Sequence, residues 1–261
     1  MGILNVTPDS FSDGGCFVTP ALAERRALKM EAEGAHLIDI GGESSRPGSR
    51  PISAREEIRR IRPVFKRLSK KIKVPLSVDT YKYDVASAAL DEGAVLVNDI
   101  HALGADKRLG KLIARQKAGV ALMHLRGTPR TMQKDPSYEN VLKEVRDHLK
   151  RAVEKALEAG IELSRILIDP GFGFGKTPGQ NAEMLFNLQF FQKLKMPILV
   201  GLSRKSFIGF FSGVNDPSDR LYGSIAAAVA AMDRGAHILR VHDVLAHRQA
   251  TLVADQGVLH G

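Results

Sequence analysis

The chain has 261 residues, of which 44% are hydrophobic and 26% charged, a balance that is typical of a globular protein and excludes a disordered one. Its net charge of +9 suits either a nucleic acid or small anionic ligands as partners. No apolar run is long enough to span a membrane, no secretory signal is recognisable, and one cysteine, Cys16, excludes an internal disulfide, so we expect a cytoplasmic protein.

Short apolar stretches alternate with helical stretches along the whole chain. The predicted strands cover residues 3–6, 36–40, 75–79, 95–99, 120–124, 166–169, 197–201 and 238–242. The predicted helices cover residues 21–33, 82–92, 107–117, 138–159, 181–194, 219–234 and 244–255, and one more begins after residue 53. Ser53 and Glu56 have the spacing of a capping box at the start of that helix.

Eight strand–helix units in one chain predict an α/β fold of the (β/α)8 TIM-barrel type, with a parallel eight-stranded barrel inside a ring of outer helices. A doubly wound open sheet is the alternative, but no glycine fingerprint follows the first strand. No linker composition interrupts the chain, so we expect residues 1–261 to form a single domain. In a barrel, the chemistry is expected at the carboxyl ends of the strands.

All eight predicted strands end in polar residues, which is more than caps and turns require. They fall into two chemical sets. Carboxylates and an amide suit the edge of a planar, nitrogen-rich ring, and the first set is Asp79, Asn98 and Asp169. Cations and amides suit a phosphate or pyrophosphate, and the second set is Asn5, Arg46, Arg240 and His242. Asp39, Asp99, Ser203 and Lys205 also lie at strand ends, and His124 is equally explained as a core histidine.

The stretch 166–176 combines a buried strand, a terminal carboxylate and alternating glycines and phenylalanines. Pro170 ends the strand, and the glycines allow the backbone to approach a ligand closely. Gly175-Lys176-Thr177 resembles the end of a phosphate-binding P-loop, but the spacing to an earlier glycine fails. Two glycine-bearing loops, 7–15 and 43–51, are candidate lids over the barrel mouth, or plain surface loops.

Several motifs together resemble the dihydropteroate synthase family, whose members are pterin-binding barrels. The stretches 2–15 (GILNVTPDSFSDGG) and 38–48 (IDIGGESSRPG) resemble its two signatures. The motifs at 77–80, 98–100, 169–176, 203–207 and 240–243 follow in the family's order. The resemblance covers essentially the whole chain.

The resemblance implies an enzyme of folate biosynthesis. It would be a transferase that joins 6-hydroxymethyl-7,8-dihydropterin pyrophosphate to para-aminobenzoate through a dissociative, SN1-like substitution, releasing pyrophosphate. It also implies Mg2+ as cofactor, sulfonamides as inhibitors and a homodimer, for which residues 226–231 offer a small-residue face if they do not pack against the barrel.

The same resemblance assigns roles to residues of this chain. The implied catalytic residues are Arg46, Asp79, Lys205, Arg240 and His242. The implied pterin-binding residues are Asp79, Asn98, Met123, Asp169, Lys205 and Arg240. The implied para-aminobenzoate-binding residues are Phe11, Ser45, Pro47, Phe174 and Ser203. Asn5, Arg46 and His242 are implied to bind pyrophosphate, with Asn5 also binding the metal.

Two departures from the family pattern stand out. Ser45 occupies a position where the family most often has Thr, which predicts an altered affinity for sulfonamides. The chain starts at its first strand, so we expect that an N-terminal lead-in segment of a longer chain is missing.

Three alternatives remain at this point: a methyltetrahydrofolate-dependent methyltransferase, a catalytically silent homologue, and nucleic-acid binding through the positive charge. We expect instead that the charge steers anionic substrates and that neither nucleic acid nor membrane is a partner.

Overall fold

The computed structural model describes residues 1–7, 19–46 and 48–260, with side chains as far as residue 257. Within these residues the strands are β1 Gly2–Asn5, β2 Ile38–Gly41, β3 Leu76–Asp79, β4 Leu96–Asp99, β5 Gly119–Met123, β6 Ile166–Asp169, β7 Leu199–Val200 and β8 Ile238–Leu239. The α-helices are α1 Pro20–Ala32, α2 Ala54–Leu68, α3 Tyr83–Asp91, α4 Lys107–Arg115, α5 Val141–Glu158, α6 Pro178–Phe186, α7 Ser206–Ser212, α8 Leu221–Asp233 and α9 Val244–His260.

The strands form a closed parallel barrel, as the sequence predicts. β1 to β6 pair in sequence order, and β7 pairs with β8. Single parallel bridges join the two sheets: Ile168 pairs with Ile198, and Gly2 pairs with Val241. The backbone N–H of Ile3 donates to Val241, whose own N–H donates to Met1, each at 2.9 Å. The last strand therefore lies against the first.

Burial explains why these short segments form strands. The side chains of Ile38, Ile40, Val78 and Val120 are fully buried, as expected for parallel strands covered on both faces. Helices α1 to α5 contribute the other side of the core through residues such as Phe65. Since strands and helices alternate, each strand delivers its carboxyl end to the same rim of the barrel.

Helix starts and ends differ from the predictions where side chains cap the backbone. Thr177 and Gln180 form a full capping box, so α6 begins earlier than residue 181. After Asn187 the chain continues as a 3-10 helix, Leu188–Leu194, which breaks the single predicted helix 181–194. Asn140 caps α5 by accepting from the N–H of Lys143 at 2.9 Å, which moves its start from 138 to 141.

Two further predictions about helices need correction. Ser53 accepts from the N–H of Glu56 at 3.2 Å, but Glu56 turns its carboxylate to Arg59 and Arg60, so the predicted capping box is half formed. Helix α7 is absent from the predicted elements. Its seven residues are too few for a clear helical period, and Gly213 ends it in a left-handed conformation.

The small residues of α8 pack mainly inward. Ala227, Ala228 and Ala231 are buried, whereas Ala226 is exposed. The buried half of the stretch 226–231 therefore packs within the protein, where α8 contacts α6, α7 and α9. In the described part of the chain, no helix combines the length and apolar character that crossing a membrane requires.

Candidate active site

A cavity of about 730 Å3 opens at the carboxyl ends of the strands. Most of the site residues expected from the sequence line it together. They are Asn5, Ser45, Arg46, Asp79, Asn98, Met123, Asp169, Phe174, Ser203, Lys205, Arg240 and His242. The remaining two, Phe11 and Pro47, lie outside the described residues. The barrel therefore brings twelve predicted residues from all parts of the chain to one cavity.

Arg240 is the centre of a buried ionic network. Its Nε donates to Oδ2 of Asp39 and its Nη2 donates to Oδ2 of Asp79, both at 2.7 Å. Asp39 Oδ2 also accepts from Nδ2 of Asn98 at 3.0 Å. Asp39 thus fixes both the guanidinium and the amide. The sequence places Asp39 at a strand end, but only the fold shows that its partner is 201 residues away.

The carboxylates facing the cavity hold their protons more tightly than exposed ones. Burial raises the pKa of Asp79 to about 7, against the opposing effect of Arg240, and the charge of Asp39 adds to the rise. Burial likewise raises the pKa of Asp169 to about 6. Neighbouring Asp99 has a different role, since its two oxygens accept from the N–H groups of His101 and Leu103 and shape the turn after β4.

Lys205 lies in the cavity with its ammonium over an aromatic face. Its Nζ is 3.9 Å from the centre of the Phe174 ring, a cation–π contact. Burial and the nearby Arg240 lower the pKa of Lys205 to about 8. Its stem passes Gly173, where the Cβ of any larger residue would meet Cδ of Lys205 at 3.1 Å. Glycine at 173 therefore gives the lysine room to reach the cavity.

His242 and Ser203 are paired across the last two strands. The Ser203 hydroxyl oxygen lies 3.0 Å from Nδ1 of His242 and accepts from its backbone N–H at 3.3 Å. Burial, with the charges of Arg240 and Arg204, lowers the pKa of His242 to about 3, which keeps the imidazole neutral. Arg204 is itself held by a two-point contact with Asp243, at 2.7 and 3.0 Å.

The loop that carries Ser45 and Arg46 is tied at its base. Glu43 accepts from the hydroxyl of Tyr81 at 2.8 Å, from Nζ of Lys82 at 2.6 Å and from the N–H of Ile52 at 2.7 Å. Lys82 also donates to the buried Glu57 at 2.6 Å. A lid made from residues 43–51 would thus pivot about fixed ends. The other candidate lid, 7–15, lies almost wholly outside the described residues.

His124 is buried, in agreement with its interpretation as a core histidine. It also has an ionisable neighbour that the sequence did not suggest. Nζ of Lys176 lies 3.0 Å from Nδ1 of His124. Burial and the charge of Lys176 both lower the pKa of His124, so the ring is neutral. The only signal in the sequence was the Gly-Lys-Thr run, which resembles a phosphate loop and has no such role here.

Asn5 is the residue whose chemistry suits a magnesium ion. Mg2+ prefers oxygen ligands, keeps several waters and often relies on substrate phosphates for the rest of its shell. Asn5 lines the cavity and offers an amide oxygen, whereas Oδ2 of Asp79 already accepts from Arg240. The amide oxygen of Asn5, with the other ligands supplied by water and a substrate phosphate, fits this pattern.

Comparison with known proteins agrees with this geometry. The sequence profile described as "Pterin binding enzyme" matches residues 1–242. The dihydropteroate synthase of Synechocystis sp. is 44% identical over 255 residues, which cover 98% of this chain and 88% of that protein.

Two solved structures are also similar to this chain. One is the Yersinia pestis dihydropteroate synthase in a sulfonamide drug complex (TM-score 0.94, 41% identity, 99% of this chain and 93% of that one). The other is the Xanthomonas albilineans dihydropteroate synthase with 4-aminobenzoic acid (TM-score 0.93, 44% identity, 100% and 92%). The chain belongs to the dihydropteroate synthase family of pterin-binding enzymes.

Proposed function

We propose that this chain condenses 6-hydroxymethyl-7,8-dihydropterin pyrophosphate with para-aminobenzoate to give 7,8-dihydropteroate and pyrophosphate. The observation that carries the proposal is the set of polar residues that line the cavity. Asp79, Asn98 and Asp169 lie there together with Lys205 and Arg240. Relatives named dihydropteroate synthase, and one such structure with 4-aminobenzoic acid, supply the substrate class.

The pterin ring is assigned to the innermost part of the cavity. The aminopyrimidine edge of a pterin carries several N–H donors, which match the carboxylates of Asp79 and Asp169 and the amide oxygen of Asn98. Lys205 would donate to the ring carbonyl, and the buried Met123 would supply an apolar contact to the ring. Arg240, held by Asp39 and Asp79, offers its flat guanidinium to the ring face.

The pyrophosphate is assigned to the rim, where Arg46 and His242 line the cavity beside Asn5. Arg46 matches two phosphate oxygens at once. In the tautomer in which Nδ1 accepts from the Ser203 hydroxyl, neutral His242 would donate to the pyrophosphate through its Nε2. Asn5 would hold Mg2+, which when bound balances the negative charge of the leaving pyrophosphate.

Para-aminobenzoate is assigned to the outer cavity between the ring of Phe174 and the loop residue Ser45, with Ser203 framing this side through its contact with His242. Phe11 and Pro47, which the family resemblance also assigns to this substrate, lie outside the described residues. Sulfonamides, which share the aniline group with para-aminobenzoate, are expected to compete for the same place. The amine approaches the pterin methylene from this side.

The reaction then needs little acid–base chemistry from the protein. The C–O bond to pyrophosphate breaks, and the bonding electrons leave with the pyrophosphate oxygen. The methylene cation that remains is conjugated with the ring and faces the carboxylate of Asp79, whose negative charge stabilises it. The aniline nitrogen forms the new C–N bond and releases its proton to solvent or to the departing pyrophosphate. The protein's part is orientation and exclusion of water.

Pyrophosphate release tests the proposal directly. With Mg2+ and pterin pyrophosphate, release that depends on para-aminobenzoate and yields dihydropteroate is the expected result. Asp169→Asn and Lys205→Ala should each lower kcat/KM by about a hundredfold, since each removes a buried charged hydrogen-bonding group. Pterin binding without turnover would indicate a silent homologue. Methyl transfer from methyltetrahydrofolate without pyrophosphate release would indicate the related methyltransferases.

We also propose a cytoplasmic homodimer. The single cysteine fits a reducing compartment. For the dimer, Phe210, Phe211 and Tyr222 are largely exposed on α7 and α8, and large exposed aromatic residues are typical of protein interfaces. Light scattering of the purified chain should give twice the mass of 28.5 kDa, and Tyr222→Glu should lower it.

A further inference from the structure

Side chains bind many of the backbone polar groups in the loop between β6 and α6. The N–H of Gly171 donates to Oδ1 of Asp169 at 2.7 Å, and the N–H of Gly173 donates to the buried Asn181 at 2.7 Å. Gln133 donates to the carbonyl of Gly173 at 2.9 Å, and the hydroxyl of Tyr138 donates to the carbonyl of Gly175 at 2.8 Å. Such a loop has one conformation and does not act as a lid.

A buried lysine binds two further carbonyls of this loop. Lys176 is 2% exposed, and its Nζ donates to the carbonyl of Gly171 at 2.8 Å and to that of Phe174 at 3.0 Å. Its third neighbour is Nδ1 of His124 at 3.0 Å. As an ammonium, Lys176 donates one proton to each of these neighbours, whereas as a neutral amine it keeps two donors for the carbonyls and can accept from Nδ1 of His124. Its Nζ therefore binds both loop carbonyls in either protonation state.

The charges around Lys176 act on its pKa in opposite directions. Burial lowers the pKa of Lys176 to about 7, and the carboxylate of Asp169 opposes the change. Lys205 and Arg126 add to the lowering, and His124 is neutral. The buried ammonium costs solvation energy that a methionine of similar length would not cost. A solely space-filling role does not explain it.

Lys176 holds the loop residues that lie against Lys205. The carbonyl of Phe174 is bound by Lys176, while the ring of Phe174 lies 3.9 Å from the ammonium of Lys205. Gly173, between the two bound carbonyls, contacts the stem of Lys205. A shift of this loop would move both the aromatic face and the lysine.

We propose that Lys176 is a positioning residue of the synthase: its Nζ fixes the 171–174 loop so that Phe174 and Lys205 meet the two substrates in the reactive geometry. This inference rests on the proposed function. It gives the lysine of the Gly-Lys-Thr run a role in orienting Phe174 and Lys205, although this lysine does not itself contact substrate.

Two substitutions at this position separate hydrogen bonding from packing. Lys176→Met keeps the volume and removes all three donors. Lys176→Gln keeps two amide donors, enough for the two loop carbonyls, and removes the charge. The matched control is Leu68→Ala, which opens a cavity at the end of α2, in the core but away from the site. All proteins are compared below the melting temperature of the least stable one.

The kinetic result expected is a graded loss. Lys176→Met should lower kcat/KM for para-aminobenzoate about ten- to a hundredfold, Lys176→Gln should lower it less, and Leu68→Ala should leave it unchanged. Wild-type kinetics in Lys176→Met, or equal losses in the Met and Gln variants, would overturn the proposal. If Lys176→Met does not fold, Lys176→Gln is compared with the wild type and Leu68→Ala, and unchanged kinetics overturn it.

Hydrogen exchange of the unliganded protein gives a test that is independent of turnover. The amides of Gly171, Gly173 and Phe174 should exchange faster in Lys176→Met than in the wild type, while those of β2 should not. Protection equal to that of the wild type at all three amides would contradict the inference. If the wild type itself forms no dihydropteroate, the proposed function fails, and the exchange experiment alone decides whether Lys176 anchors the loop.

Discussion

At the scale of single residues, the site depends on charges that do not touch substrate. Asp39 accepts from Arg240 and Asn98 with one oxygen, while its other oxygen has no hydrogen-bond partner among the described residues. An aspartate held this way costs free energy to bury and is retained here beside two site residues. We interpret Asp39 as the group that sets the orientation of Arg240.

Asp39→Asn should alter the titration of its neighbour Asp79. Without the negative charge of Asp39 beside it, the pKa of Asp79 should fall from about 7, so the acid limb of the kcat/KM profile should move to lower pH. The rate itself should fall because Arg240 loses one of its two anchors. Asp99→Asn is the control, since Asp99 is equally buried but bonds only to backbone. An acid limb that stays in place in Asp39→Asn would contradict this.

The stability of the protein should depend on pH through His148. Burial lowers the pKa of this histidine to about 4, below its unfolded value near 6.5, so the unfolded chain binds the proton first. The stability contributed by neutral His148 is complete above pH 6.5 and is lost as pH falls towards 4.

In His148→Gln, the loss of unfolding free energy between pH 7 and pH 5 should be smaller than in the wild type by at most about 2 kcal/mol. Urea denaturation at the two pH values measures it. The other groups with shifted pKa values, such as His242, remain in both proteins and cancel in the comparison. An equal pH dependence in both proteins would show that folding does not lower the pKa of His148.

At the scale of elements, the sequence predicts which strands carry the site residues but not which side chains hold them in position. Asp79, Asn98 and Asp169 could be predicted because a buried strand followed by a polar residue is a local pattern. Lys176 could not, because its three partners are defined by the folded loop. The helix predictions failed for two different reasons. Thr177 and Gln180 have capping-box spacing, a signal that the sequence does carry, whereas the 3-10 segment after Asn187 depends on short-range geometry that hydrophobic periodicity does not encode.

The loop that carries Arg46 should lose its fixed base when Lys82 is replaced. Lys82→Met removes the ammonium between Glu43 and Glu57 and leaves the buried Glu57 without a counter-charge. Breaking such a buried pair costs about 3–5 kcal/mol of folding free energy. Denaturant unfolding measures this loss, and pyrophosphate release should slow because Arg46 is no longer placed.

The double variant Lys82→Met, Glu57→Gln is the control for Lys82→Met. Because it removes the uncompensated charge, it should recover much of the stability but not the placement of the loop. Full recovery of activity in the double variant would show that Glu43 does not need Lys82 to hold the loop.

At the scale of the whole molecule, the net charge of +9 should be visible in the kinetics. The proposed substrates are anions, so the positive field should raise their rate of encounter at low salt. Between roughly 10 mM and 200 mM of an inert salt, the screening length falls from about 30 Å to below 10 Å, and kcat/KM should fall several-fold. Sucrose at equal osmolality is the control. A salt-independent kcat/KM would refute steering.

The fold class was predictable because eight similar units repeat, which requires no knowledge of any contact. The residues at the strand ends indicated a nitrogen-rich ring and a phosphate as ligands, whereas the reaction itself was implied by the family resemblance. The ionic links between distant strands were not predictable. Arg240 binds Asp79 and Asp39, which lie 161 and 201 residues earlier in the chain, and no local sequence pattern indicates such pairs.

Closure of the barrel at β1 and β8 has a consequence for biosynthesis. The backbone N–H of Val241 donates to the carbonyl of Met1. The preceding residue, Arg240, supplies the guanidinium that links Asp39 and Asp79. During translation, β1 emerges first, but its second edge stays unpaired until residue 241 has been made. A nascent or truncated chain that lacks the hydrogen bonds between β1 and Val241 has neither a closed sheet nor the ion pairs of Arg240 with Asp39 and Asp79. Catalytic activity therefore reports that synthesis has passed this point, and no partial product of the ribosome should show it.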